Sequence, residues 1–191
     1  MPFAFPSHQG LILPVWVKWP DRFNALALSV GAAAPDIVDG LAWPLRGRLG
    51  QWLGHSLVGL VPLCLPVGLL ITILLRAVGR RQSPDSQLRR LDNPGILQRG
   101  RAGEITRLSV SVFVGAASHI ITDFVTHANL VLLLPFYEQK DFFPSFWCHT
   151  WASVPLLVYK DTYPIAPHTI AWFVLSIAGA VMYVRILKRT R

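Results

Sequence analysis

Apolar positions in this chain gather into blocks, separated by connections that are polar, basic or rich in proline. Residues 57–75 form the clearest block, long enough as a helix to cross the hydrocarbon core of a bilayer despite Pro62 and Pro66. A second block covers 108–134. A third, about 169–187, follows Pro167-His168 and ends in Lys188-Arg189. Two shorter blocks are too brief to cross alone. Residues 25–34 are small and apolar and run into Pro35-Asp36-Ile37-Val38-Asp39-Gly40; residues 150–158 are a short apolar run after His149. Pro2, Pro6, Pro14 and Pro20 predict an irregular start over 1–24, with Trp16, Trp19, Lys18 and Arg22 suited to the headgroup layer. The expected fold is all-α: an integral membrane helical bundle with four or five apolar segments, two or three of them full spans, in one domain covering 1–191. Its only strong shift in composition is a polar, basic loop at about 76–107.

Composition reinforces that reading. Of 191 residues, 52% are hydrophobic and only 15% charged, against roughly 25% charged in soluble domains. The net charge of +8 would suggest nucleic acid, but the arginines and lysines cluster at 76–107 and 185–191, each just after an apolar block. That is the loop bias of membrane proteins, so a nucleic-acid partner is not expected, and the loop and C-terminus are placed in the cytoplasm. The start lacks the features of a secretory signal, so insertion is expected to rely on the internal segments. Cys64 and Cys148 offer neither a disulfide framework nor a Cys-x-x-Cys site.

The chemistry lies in a few polar residues inside apolar surroundings. In His119-Ile-Ile-Thr-Asp123-Phe-Val-Thr-His127 the three titratable residues are four apart, which places them on one helix face. Eight residues of helix rise about 12 Å, too far for one ion, whereas a central carboxylate can bridge two ions about 3.5–4 Å apart. Ionisable groups in such surroundings are costly unless paired or bound to metal. On the predicted topology His55, His127 and His149 converge on the outer side of the membrane, and the first short block can deliver Asp36 and Asp39 there. His8 fits only if the first residues loop back into the bundle, or if the first segment runs otherwise. Imidazole and carboxylate without thiolate favour zinc, manganese or iron, without choosing among them, at a site with open positions. His168 has a plain interfacial role.

The residues Met1-Pro2-Phe3-Ala4-Phe5-Pro6-Ser7-His8, Ala34-Pro35-Asp36, Gly54-His55-Ser56-Leu57-Val58-Gly59 and Gly115-Ala116-Ala117-Ser118-His119 through His127 resemble a bacterial membrane family. It is the family called domain of unknown function 4184, which is similar to membrane-bound metal-dependent hydrolases and, remotely, to the zinc-dependent phospholipase C and zinc nuclease superfamily. By position the resemblance implies His8, Asp36, His55, His119, Asp123, His127 and His149 as metal ligands. The soluble enzymes close their site with His-x-x-x-Glu, whereas here Ser153 follows His149, so one or two ions are expected rather than three.

Together these features predict a membrane-embedded metal-dependent hydrolase of a phosphoester, on a lipid or lipid-linked substrate, in the bacterial cytoplasmic membrane. Of Asp36 and Asp39, whichever is not a ligand is the candidate for general base, with Asp36 favoured as a ligand, and Arg46 and Arg48 are candidates for holding the substrate phosphate. The alternative is a non-enzymatic polytopic protein whose His and Asp residues lock helices together or form a proton or ion path. Oligomeric state is left open.

Overall fold

The structure, a computed structural model, describes residues 4–42, 53–83, 85–92, 100–127, 132–133, 143–155 and 162–189. Helix α1 (Ala4–Lys18) is followed by α2 (Ala25–Gly31) and α3 (Ala34–Ala42). Then come α4 (Leu57–Arg80), the short α5 (Gln87–Leu91), α6 (Arg101–Thr126) and α7 (Ser145–Cys148). A hairpin of β1 (Ala152–Pro155) and β2 (Thr162–Ile165) precedes α8 (Pro167–Arg189). The architecture is a helical membrane-type bundle with one small two-stranded sheet. Helices Leu57–Arg80, Arg101–Thr126 and Pro167–Lys188 are each long and apolar enough to cross a membrane, and α2 with α3 passes the same test as a pair bent by 41°.

Contacts along the helices give their directions. Asn24, Leu28 and Ala32 meet Ser111, Gly115 and His119 in turn, so α2 runs parallel to α6. His55 meets His119 while Arg76 meets Glu104, so α4 is antiparallel to α6. His8 lies by Asp123 and the carbonyls of Pro20 and Phe23 lie by Arg107, so α1 descends alongside α6. Ser7 meets Ser176 and Gly10 meets Gly179, so α8 runs parallel to α1. The bundle therefore has a His/Asp end and an Arg-rich end.

Small residues let these helices touch. A Cβ on Gly10 would sit 1.6 Å from the Gly179 carbonyl oxygen, and one on Gly115 would sit 2.3 Å from the Leu28 carbonyl oxygen. Close backbone approach of this kind is how helices associate in a membrane, where lipid is as apolar as leucine.

Four expectations need correcting. The start is not irregular: Pro6 falls in the first turn of α1, where its missing N–H costs nothing, and Pro14 is carried inside a helix clamped to α8. His8 thus reaches the cluster without a loop-back, because α1 itself runs from one end of the bundle to the other. The 76–107 region is not one loop, since α4 continues to Arg80, α5 intervenes and α6 begins at Arg101. Several of its charges are paired: Arg76 contacts Asp92 at 2.7 Å and Glu104 at 2.9 Å, and Glu104 accepts from Arg107 at 3.0 Å. The block at 150–158 is not a helix over its described part, where 152–155 pairs with 162–165 as a strand.

Candidate metal centre

His119 and Asp123 stand four residues apart on the buried stripe of α6 that also carries Ser111 and Gly115. This places both side chains against α2, α3 and the turn before α4. That turn is held by Gly54, where a Cβ would lie 2.2 Å from the Pro35 carbonyl oxygen. The Gly54 N–H donates to Asp39 Oδ1 at 2.6 Å, and Cys64 Sγ donates to the Gly54 carbonyl at 3.3 Å. His55 is thereby fixed, fully buried, just before Ser56, whose hydroxyl caps α4 by accepting from the Gly59 N–H.

Each imidazole is oriented by its Nδ1. His55 Nδ1–H donates to Asp39 Oδ2 at 2.6 Å, and His119 Nδ1–H donates to the Ala32 carbonyl at 2.7 Å. Ala32 is the C-cap of α2, so its carbonyl has no continuing helix to bond. With both Nδ1 protons committed, Nε2 is the nitrogen each ring can offer to an ion, and the two face each other across 3.1 Å. Around them lie Asp123 Oδ2, at 3.2 Å from His55 and 3.1 Å from His119, and Asp36 Oδ1 at 3.5 Å from His55. His8 stacks on His119 with ring centroids 4.0 Å apart, its Nε2 3.4 Å from Asp123 Oδ1.

Two overlapping groups have ligand atoms within 4.8 Å of one another: His8, His119 and Asp123, and Asp36, His55 and His119. His8 Nδ1, Asp36 Oδ2 and Asp123 Oδ1 are buried without a hydrogen-bond partner among the described residues. Lone pairs converging on one point, with orphaned carboxylate oxygens beside them, are what a divalent cation satisfies. The donor set is nitrogen and oxygen throughout, and it fits such an ion. Burial alone would lower the His55 pKa, but the carboxylates of Asp123, Asp36 and Asp39 outweigh it and hold the imidazole well up, at about 11, so a cation that binds Nε2 must displace its proton.

The remaining predicted residues fall elsewhere. His127 leaves the stripe, because α6 ends at Thr126 and His127 is its extended C-cap. Its half-buried ring lies 3.6 Å from Asp123 Oδ1, on the side away from His55. His149 is exposed at the end of α7 and belongs to neither group. Asp39 sits behind His55, with both oxygens occupied. Arg46 and Arg48 lie outside the described residues. His168 is a helix-start residue whose Nδ1–H donates to the Trp147 carbonyl at 3.1 Å. The orienting Ala32 carbonyl was not foreseen from sequence; its only signal was the end of a helix at Gly31-Ala32.

The bundle and its buried His/Asp cluster define a membrane-type protein with a site suited to a metal ion. A family model described as domain of unknown function (DUF4184) matches residues 1–140, and the chain belongs to that family. The match takes in His8, Asp36, His55, His119, Asp123 and His127, while His149 and α8 lie beyond it. No curated protein and no solved structure matches the chain.

Proposed function

We propose that this protein is a membrane-embedded metal-dependent hydrolase acting on a phosphoester, of a lipid or lipid-linked substrate. The supporting observation is the pair of Nε2 atoms, 3.1 Å apart, each turned toward the cluster by an acceptor that holds the Nδ1–H behind the ring. His55, His119, Asp123 and His8 would hold zinc, or manganese or iron. When bound, a divalent ion acts as a Lewis acid on a water and on a phosphoryl oxygen. Asp39 fixes the His55 tautomer, in the manner of carboxylate–histidine pairs behind metal ligands. Asp36, with Oδ2 unpartnered, is the carboxylate placed to take a proton from a water. Arg46 and Arg48 remain the candidates for the substrate phosphate. The Arg-rich end faces the cytoplasm of a bacterial cell and the cluster opens toward the outer face.

Elemental analysis of protein purified without chelator tests this reading, with Asp123→Ala and His55→Ala beside wild type. Near-stoichiometric metal in wild type, absent from both variants, is expected, followed by hydrolysis of a generic phosphoester by wild type alone. A second reading draws on the three carboxylates already gathered around His55, which satisfy it as a purely ionic helix lock. Metal-free wild type after metal re-addition would favour that lock.

A further inference from the structure

A cavity of about 520 Å³ opens at the other end of the bundle, between the last turns of α1 and α8. That is within the roughly 300–1,000 Å³ of small-molecule sites. Its wall is apolar, formed by Pro14, Trp16, Val17, Met182 and Ile186, and two cations, Lys18 and Arg185, stand at it. It is separate from the His/Asp cluster, since ten residues of helix, about 15 Å, divide Lys18 from His8. The crossing at Gly10 and Gly179 brings the two helices into backbone contact on the side toward the cluster.

We propose that this cavity binds one anionic phospholipid of the adjoining leaflet, an acyl chain lying along Val17, Met182 and Ile186 and the phosphate against Lys18 and Arg185. Three observations point to lipid rather than to a soluble phosphate compound. The wall is apolar except for Lys18 and Arg185. The spanning window of α8 is only 6% buried, so the helix forming one side of the cavity faces bilayer. Trp19, 41% exposed, carries the Lys18 ammonium 4.6 Å from its ring centroid, an aromatic–cation pair of the kind that settles at headgroup depth. Both helices end here, so their dipoles present carbonyls and disfavour an anion. The preference for phosphate therefore rests on the two side chains, which makes it removable.

Native mass spectrometry of the full detergent-purified chain, titrated with phosphatidylglycerol or phosphatidylcholine of identical chains, tests the proposal. Wild type is expected to retain phosphatidylglycerol at least tenfold better, and the Lys18→Gln/Arg185→Gln variant to bind the two lipids within twofold of each other. Met182→Trp, which fills the cavity without touching charge, should displace both lipids, and it decides the matter if the double variant does not fold. Equal retention of both lipids by wild type would overturn the proposal, as would a preference surviving in the double variant. So would unchanged lipid retention in Met182→Trp, or glycerol 3-phosphate competing as well as the lipid. Metal content, measured on the same samples, should not move in any variant.

Discussion

Asp39 contributes through another residue. Its carboxylate accepts from the Gly54 N–H and from His55 Nδ1–H. In Asp39→Asn the oxygen can still serve Gly54, but the amide then turns N–H groups toward His55. The imidazole must move its proton to Nε2, where it blocks the lone pair the site uses. Metal affinity, read by competition with a chelator, is expected to fall about 10–100-fold with helicity unchanged. The same imidazole makes the metal-free protein sensitive to pH. Its pKa is raised from 6.5 to about 11, so the stability it contributes is fully present below about pH 6.5 and is lost as pH rises toward 11. In chelator-treated protein the thermal midpoint should therefore be higher at pH 7 than at pH 10. His55→Gln should flatten that slope.

At the scale of elements, the site depends on how closely α2 approaches α6. A Cβ at Gly115 would come 2.3 Å from the Leu28 carbonyl oxygen and 2.8 Å from the Ala32 amide nitrogen. Gly115→Ala must push α2 away, at a cost of about 1–3 kcal/mol for overpacking, and it takes with it the carbonyl that orients His119. Reduced metal retention and a lower unfolding midpoint in detergent are expected, while Gly100→Ala, with open space around the added carbon, should leave both unchanged. The spanning part of α4 was legible in the sequence because apolar composition alone specifies a crossing. The first turns of α6 were not, because Arg101, Glu104 and Arg107 look like loop until Arg76 and Asp92 are known to pair with that end. Likewise α1 was hidden by its prolines, since what sustains it is a crossing with residues some 170 positions away in sequence. The ligand spacing in His119 and Asp123 survived intact. Only the end of the helix at Thr126 took His127 out of line, and nothing in the local sequence marks that end.

For the whole molecule, the division into a His/Asp end and an Arg-rich end sets an orientation that can be read by labelling. In a cysteine-free background, Thr150→Cys lies exposed beyond α7 at the cluster end, and Ser83→Cys lies exposed between α4 and α5. A membrane-impermeant maleimide added to intact cells should modify the first and reach the second only after permeabilisation. The reverse pattern would invert the proposed topology. The parallel seam between α1 and α8 also orders the protein in time. The ribosome makes His8 before the other residues of the cluster, yet the helix that clamps its neighbours Ser7 and Gly10 follows all of them. A nascent chain that has reached residue 140 already carries His55, His119 and Asp123, but α1 still lacks the surface that fixes it. Fixing of the site therefore waits until α8 has been made, and a chain halted before α8 holds its ligands with His8 still unclamped.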